Sequence, residues 1–366
     1  MHLRIHHILI VLAATLWSWG CTRQPLPERN GGEIRFGAGA VQLEETKTIF
    51  YPQSILDQRT SFVTNDEIAV YAWHQNEGQK VFDNKTVTCV DPAVDNWTYT
   101  EKKKWSWHDN DYYDFLAVTQ KVGGAPLAPS SVTTIAPTSG STFSLSVPYD
   151  ARRDHYDLMM AGTRRRVTDA DPSAVVRLDF RHMLSAVRVV FHRDSGSQKY
   201  VVTSYGFSDL IVAANIVWGW DETDKVCKVS LDDTEHNHQV HFGFDRESDA
   251  PWLDGDKFLP ADYNPGNYDS ADHYDLLIPQ NLDSTDSPSL VVKFHDDVNG
   301  AWNLYEPDPI PLKDIKIENT DTPITAWEPG KVYTYEVHIL LNGGVLVNVI
   351  TTEWDEVEAQ TPGLMI

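Results

Sequence analysis

Apolar and polar residues alternate over short runs along much of this chain, and turn-forming clusters separate the runs. A period of two places successive side chains on opposite faces of an extended backbone, so each run predicts a β-strand. The clearest runs are residues 68–73, 143–147, 175–180, 186–191, 240–244, 290–294 and 345–350. No window of a dozen residues shows the stripe of an amphipathic helix. The pattern predicts an all-β protein with two β-sandwiches in series.

A charged and polar stretch interrupts the predicted strands near the middle of the chain. Three consecutive arginines, residues 164–166, are followed by mostly polar residues up to Pro172. Domain junctions fall in such stretches because few apolar contacts cross them. We therefore predict an N-terminal sandwich of residues 34–166 and a C-terminal sandwich of residues 167–366. Residues 342–344, Asn-Gly-Gly, predict a tight hairpin in the second sandwich.

The first 20 residues predict a secretory signal. A basic start with Arg4 precedes an apolar run, residues 8–17, that is far shorter than the roughly 20 residues a membrane-spanning helix needs. Gly20 then directly precedes Cys21, which resembles the lipobox of bacterial lipoproteins, although Ser18 and Trp19 depart from its usual residues. The resemblance implies that the Cys21 thiol is lipidated. The alternative is ordinary signal cleavage beside an incidental cysteine. Residues 21–33 predict a flexible tether.

Net charge limits the classes of partner, and the cysteine content limits the kind of fold. The chain has 53 acidic and 30 basic residues and a net charge of −23, which argues against nucleic acid as a partner, since phosphates require a basic surface. Besides Cys21 only Cys89 and Cys227 occur, so the fold is not a disulfide scaffold. We expect these two in different domains and therefore unpaired.

Three histidines close together are the strongest metal candidate in the sequence. On a strand, His236 and His238 would share a face, and Asp233 or Glu235 lies near enough to complete a zinc shell. However, His241 would point to the opposite face, and structural zinc sites normally have four well-placed ligands. The pattern favours surface histidines at a turn, and we expect no metal.

Catalytic motifs are not found in the sequence. Residues 109–114 contain three aspartates, but the turn glycine and distal glutamate of a calcium loop are missing. Neither a G-x-S-x-G elbow, nor a cysteine nucleophile in a recognisable setting, nor a phosphate-binding glycine loop is present. We therefore expect neither enzymatic activity nor a cofactor.

Twelve tryptophans raise the alternative of a surface lipoprotein that binds carbohydrate through exposed aromatic residues. Trp105, Trp107, Tyr112 and Tyr113 cluster in the sequence and offer rings on which a sugar could stack. The competing interpretation is that aromatic residues at alternate strand positions fill a sandwich core. The two differ in exposure, because sugar binding requires a contiguous exposed patch.

A series of short blocks resembles the fimbrillin family, the lipoprotein pilins of type V pili in anaerobic Gram-negative bacteria. The blocks occur in the order of the family and span nearly all of the chain after residue 33. The most specific of them is the combination of residues 157–161, 176–180 and 182–186. The blocks are residues 34–36, 46–48, 65–71 (NDEIAVY), 97–99, 105, 113–117 (YDFLA), 157–161 (DLMMA), 176–180 (VRLDF), 182–186 (HMLSA), 277–280 (LIPQ), 329–335 (PGKVYTY) and 354.

The resemblance implies two tandem transthyretin-like, Greek-key β-sandwiches and assembly by strand exchange with other pilin subunits. It further implies an outer-membrane lipoprotein that reaches a cell-surface fimbrium, and adhesion to a host or bacterial surface receptor. In the family a protease specific for arginine or lysine trims the N-terminal strand, for which Lys47 and Arg59 are the candidates here.

The donor strand would come from the C-terminus. The alternating positions Val345, Val347 and Val349 are its candidates. Only twelve residues follow Trp354, whereas a shaft subunit should offer a longer alternating tail. This departure raises the alternatives of an anchor, accessory or tip-like subunit, or of one that assembles in a different way.

Overall fold

The computed structural model describes fifteen stretches of the chain. They are residues 32–40, 62–75, 77–105, 112–122, 125–126, 132–137, 142–154, 156–166, 175–193, 199–224, 226–237, 275–283, 287–298, 301–340 and 343–353. Strands dominate these stretches, with two short 3-10 turns at Pro92–Val94 and Leu312–Asp314. The predicted all-β class is therefore confirmed. Within the described ranges there is no helix with the length and hydrophobicity needed to cross a membrane.

The described residues contain 23 strands. In chain order they are β1 (Arg35–Ala40), β2 (Glu67–His74), β3 (Gln79–Asp91), β4 (Asn96–Thr98), β5 (Tyr112–Val122), β6 (Ala125–Pro126), β7 (Thr133–Ile135), β8 (Ser144–Asp150), β9 (Met159–Arg166), β10 (Val175–His182), β11 (Ser185–Arg193), β12 (Lys199–Ser208), β13 (Leu210–Asp221), β14 (Val226–Asn237), β15 (Asp275–Leu277), β16 (Gln280–Asn281), β17 (Ser289–Val298), β18 (Ala301–Tyr305), β19 (Ile310–Pro311), β20 (Lys316–Ile317), β21 (Ala326–Trp327), β22 (Lys331–Ile339) and β23 (Val345–Glu353).

Six of the seven alternating runs lie in or overlap these strands, in β2, β8, β10, β11, β17 and β23, while residues 240–244 are outside the described residues. Strand β10 shows the expected period of two, with every second side chain buried. The predicted hairpin also forms. It joins β22 to β23 in antiparallel register, and Gly343 adopts a positive φ of 76° that suits glycine.

The largest sheet has the strand order β1-β10-β9-β5-β2-β3-β4, with β6 on β5. Its central strands are buried on both faces. In β2, Ile68 and Val70 belong to one hydrophobic core, whereas Ala69 and Tyr71 belong to another. The sheet β14-β13-β8-β7 covers the second core, and β13 contacts β9 and β5 across the layer. The two sheets form the first sandwich.

The first core, on the other face of the large sheet, is enclosed by the sheet itself. Strands β1 and β4 are at the two ends of the strand order, yet they contact each other. The sheet therefore curls around its apolar face. The residues enclosed include Phe36, Phe82, Tyr99, Phe115 and Phe180. We call this group the aromatic core.

A second sandwich is built from the sheets β15-β11-β22-β23-β20 and β12-β17-β18, with β19 on β17. Edge-on and tilted aromatic pairs join the two layers. Phe191 of β11 lies 5.5 Å from Tyr205 of β12, and Phe207 of β12 lies 5.5 Å from Tyr335 of β22, both measured between ring centroids. The small sheet β16-β21 adds Trp327, whose indole N–H donates to the Tyr335 hydroxyl at 2.9 Å.

Strand pairing crosses the predicted junction after Arg166. Strand β10 pairs with β9, and β13 pairs with β8, so segments from both sides of the junction share sheets. The arginine stretch itself belongs to a strand, since β9 extends to Arg166 and Arg164 within it forms an ion pair with buried Asp114. The chain thus passes between the two sandwiches more than once. As a boundary between independently folding units, residue 166 stays a prediction.

A buried aspartate–histidine pair links the residues just before β9 to the end of β10. Asp157 and His182 are both almost fully buried, and the Nδ1 atom of His182 lies 2.9 and 3.0 Å from the two carboxylate oxygens of Asp157. The backbone N–H of Met183 also donates to the Leu158 carbonyl at 2.9 Å. These contacts hold the turn where the chain leaves the first sandwich for β11 of the second.

We expect His182→Ala to lower the free energy of unfolding by about 3–5 kcal/mol, because it leaves the Asp157 carboxylate buried without its imidazole partner. Urea denaturation followed by tryptophan fluorescence measures the change. Asp179→Ala is the matched control, since Asp179 lies on the same strand in an exposed pair with Arg177 and should cost less than about 1 kcal/mol. Equal losses in both variants would contradict the structural role of the buried pair.

Candidate functional site

Strand β1 differs from the rest of the large sheet in its pairing. It lies parallel to β10, with Arg35 opposite Val175 and Ala40 opposite Phe180. All other described strand pairs of this sheet are antiparallel. A parallel edge strand is not the product of a local hairpin, so β1 reaches its place through a longer connection.

The side chain of Phe36 anchors β1 in the aromatic core. Its ring centroid lies 5.5 Å from those of Phe82 and Tyr99 and 5.9 Å from that of Phe115, all in edge-to-face geometry. Ile34, the other inward residue before it, is fully buried. Aromatic side chains bury large areas and gain about 0.5–1.5 kcal/mol per well-placed pair beyond that burial. Strand β1 therefore fills and closes the aromatic core.

Two polar groups fix the edge of β1 that faces β4. The Tyr99 hydroxyl donates to the Ile34 carbonyl at 2.8 Å and accepts the backbone N–H of Lys103 at 3.2 Å. Burial raises the pKa of Tyr99, so this hydroxyl keeps its proton. The Ile34 N–H donates in turn to the Lys103 carbonyl at 2.9 Å. Backbone groups of β1 are thus satisfied on both sides of the strand.

Asp95 is the second polar group. One of its carboxylate oxygens accepts the Ala38 N–H at 2.9 Å and the Trp97 indole N–H at 3.2 Å. Its backbone has a positive φ of 52°, which asparagine and aspartate tolerate better than most residues. Gly37 is needed for this approach, because a Cβ there would lie 2.2 Å from the Asp95 carboxylate.

The next described residue after β1 is Phe62, and it lies in the same aromatic core. Phe62 packs edge-on against Trp97 and Phe180, at 5.2 and 5.3 Å between ring centroids. The predicted cleavage residues Lys47 and Arg59 lie between β1 and Phe62, outside the described residues. A cut at either one would leave β1 held to the body by non-covalent contacts alone.

The other predicted site residues lie elsewhere. Cys21 is outside the described residues. Val345, Val347 and Val349 all belong to β23, which pairs with β22 on one side and β20 on the other, and Val349 is fully buried. The candidate donor strand therefore has a place in its own sheet. The hairpin at residues 342–344 predicted its pairing with β22, whereas the pairing with β20 was not predicted.

The histidine cluster is partly described. His236 lies in β14 opposite Ile211, while His238 is outside the described residues. Cys89 and Cys227 are both buried and free, so the prediction that they are unpaired is confirmed. They lie in the two different cores of the large sheet. Burial raises the pKa of Cys89 to about 11 and that of Cys227 to about 12.

Two of the four aromatic residues offered as an alternative sugar platform are internal. Trp105 and Tyr113 are buried in the aromatic core, in edge-to-face contact at 5.2 Å between ring centroids. Tyr112 is exposed, and Trp107 is outside the described residues. Asp114, part of the aspartate-rich stretch, is buried against the Arg164 guanidinium. Core packing, the competing interpretation, therefore accounts for two of the four aromatic residues.

Comparison with known proteins gives one family match and several similar solved structures. Residues 56–218 match the family model described as fimbrillin-like, which confirms the resemblance seen in the sequence. No curated protein matches the chain. Among solved structures, a fimbrilin from Porphyromonas gingivalis is similar at 9% identity and a TM-score of 0.43, covering 90% of this chain and 99% of that one. A candidate cell adhesion protein from Bacteroides uniformis is similar at 16% identity and a TM-score of 0.43, covering 88% and 98%.

The role of Phe36 in holding β1 in the aromatic core can be tested by hydrogen exchange. We expect Phe36→Ala to speed exchange of the β10 amides, because truncation costs about 3–5 kcal/mol of packing and loosens the strand that pairs with them. Amides shared between β22 and β23 serve as the internal reference and should not change. Arg35→Ala is the matched control, since the Arg35 side chain is exposed on the same strand. Unchanged β10 exchange in Phe36→Ala would show that Phe36 does not hold β1 in place.

Proposed function

Because residues 56–218 are fimbrillin-like, we propose that this chain is a structural subunit of a type V fimbria. In this proposal it is exported as a lipoprotein, assembles by β-strand exchange and contributes to cell adhesion. The role is mechanical and not enzymatic. The observation that carries the proposal is the placement of β1, an edge strand that plugs the aromatic core and is joined to the body through the segment with Lys47 and Arg59.

Removal of β1 would create a defined acceptor. The edge of β10 would lose its parallel partner along six registered positions, from Val175 to Phe180. The pocket now filled by Phe36 would open among Phe82, Tyr99 and Phe115. Unpaired backbone groups next to an apolar pocket bind an added strand, which is the basis of strand complementation. An incoming strand with an apolar residue at the position of Phe36 would restore both kinds of contact.

The C-terminal segment is the donor in this proposal. Its alternating residues Val345, Val347 and Val349 lie in β23, so donation requires β23 to leave β22 and β20 or to be replaced there. The strand also carries one exposed apolar side chain, Leu346, on its outer face. Loss of the native pairing would be offset by pairing with β10 of the next subunit.

The proposed lipid anchor, Cys21, and strand β1 both lie on the N-terminal side of the proposed cut. Cys21 precedes β1 by fourteen residues, and both precede Lys47. Cleavage would therefore leave the lipid attached to the body only through the non-covalent contacts of β1, and dissociation of β1 would then release the body and open the acceptor together. An anchor subunit would instead remain uncut and keep both its lipid and its own β1.

We expect a trypsin-like protease to produce a new N-terminus at Thr48 or Thr60 and then multimers that resist mild denaturation. N-terminal sequencing by mass spectrometry and gel electrophoresis without boiling provide the two measurements. The double variant Lys47→Gln and Arg59→Gln should stay uncut and monomeric, whereas Lys80→Gln, an exposed change in β3, should behave as the parent. Efficient cleavage at either site with a persistent monomer would contradict strand exchange.

Lipidation at Cys21 predicts a separate result. In a Gram-negative host with a lipoprotein pathway, the protein should carry acyl chains on its first residue and fractionate with the outer membrane, because two or more chains anchor a protein stably. Cys21→Ser should remove the added mass and move the protein to the soluble fraction. Mass spectrometry of the N-terminal peptide decides the point. An unmodified Cys21 in the membrane fraction would show that another feature anchors the protein.

A further inference from the structure

A cluster of two histidines and a glutamate lies on the second sandwich, far from the aromatic core. Strands β11 and β22 are parallel neighbours, and their register places His192 directly opposite His338. Glu336 lies two residues before His338, so the period of two puts all three side chains on one face of the sheet. The intervening residues, Phe191 and Val337, are fully buried on the opposite face. The three polar side chains are half-buried, and the Nε2 atom of His192 is itself buried.

The distances between the side chains suit a shared ligand. The imidazole rings of His192 and His338 stack, with centroids 4.8 Å apart and planes inclined by 18°. The Nε2 atom of His192 lies 3.8 Å from a carboxylate oxygen of Glu336. One ligand atom from each residue lies within 4.8 Å of the other two. Zinc bonds of about 2.0–2.1 Å in tetrahedral geometry separate neighbouring ligand atoms by about 3.3 Å. Small side-chain rotations therefore suffice to bring the three atoms around one ion.

A fourth residue orients the carboxylate. Asn348 of β23 lies opposite Glu336 in the antiparallel register, and its Nδ2 donates to the Glu336 Oε2 atom at 3.1 Å. This leaves the other oxygen, Oε1, toward His192. Metal-binding carboxylates are commonly held by such hydrogen bonds, which fix the direction of the free oxygen.

We propose that His192, His338 and Glu336 bind one divalent transition-metal ion of the zinc class. Two imidazoles and one carboxylate are the donor set of many zinc sites with three protein ligands and an open position. The same donors also suit copper and nickel, whereas magnesium and calcium prefer oxygen-only shells. In this proposal water supplies the remaining ligand, since the three side chains are only half-buried.

The ion would join strands that are distant in sequence. It would link β11 directly to β22 and, through Asn348, to β23. A ligand that binds only the folded state stabilises it according to its concentration relative to its dissociation constant. Metal binding would therefore strengthen the sheet that holds the proposed donor strand. The metal site does not depend on the proposed function, because it rests on the register of β11 and β22.

Isothermal titration calorimetry, with ZnCl2 added to the untagged full chain, tests the proposal. We expect a site of one ion per chain, and a higher melting temperature in its presence. His192→Ala and His338→Ala should each weaken this site at least tenfold, and Asn348→Ala should weaken it less. The double variant His236→Ala and His238→Ala is the matched control for the other histidine cluster and should leave the site intact. Magnesium should not compete.

Cobalt substitution gives a readout that does not depend on variant stability. The parent chain loaded with Co²⁺ should show the intense visible absorption of a four-coordinate site, and Glu336→Gln should change that spectrum while the far-ultraviolet circular dichroism stays the same. The proposal is overturned if no site is found in the parent. It is equally overturned if the site persists in His192→Ala and His338→Ala and disappears in the control double variant.

Discussion

The large sheet has apolar side chains on both faces, and the rest of the first sandwich follows from the need to cover both. Residues Ile68 and Val70 point to one core, and Ala69 and Tyr71 to the other. A second sheet covers one face completely. The other face has no separate layer among the described residues, so the sheet curls until β4 meets β1. This curled sheet is closed by a short N-terminal strand whose removal would expose an aromatic pocket. The same strand that completes the fold is therefore the part best suited to exchange.

Strand β1 is held by specific contacts, but it is short. Phe36 fills the pocket, Tyr99 and Asp95 bind its backbone, and Gly37 permits the close approach of Asp95. Strand β1 has six residues and one parallel partner. By contrast, β23 is antiparallel to β22 along nine positions and also pairs with β20. The two strands that the proposal assigns to exchange, β1 and β23, are thus held very differently. The acceptor opens once β1 has been cut from the body and has dissociated, whereas the donor strand β23 must leave its own sheet.

Local patterns predicted much of the fold, and non-local pairing explains what they missed. Strand β10 was predicted because one face is buried and one is exposed, so its alternation is plain. Strand β2 is buried at five consecutive positions, and there the period of two says little about which layer lies on each side. The arginines at 164–166 suggested a linker, yet they lie in β9, where Arg164 is paired with Asp114 from β5. The sequence could not show that partner. Likewise, it singled out neighbouring histidines and overlooked His192 and His338, which only the parallel register of β11 and β22 brings together. At the candidate site, the resemblance located the first strand, but the roles of Gly37 and Asp95 required the structure.

The central claim is that β10 and the aromatic core form an acceptor occupied first by β1 and later by a strand from another copy. Hydrogen exchange at Val175–His182 tests it in three states of one preparation: the uncut monomer, the cut protein kept dilute, and the cut protein after assembly. The account predicts slow exchange in the first state, fast exchange in the second and slow exchange again in the third, with the peptide containing β1 absent from the assembled material. Assemblies in which β10 stays unprotected, or in which the peptide containing β1 is still bound, would contradict it.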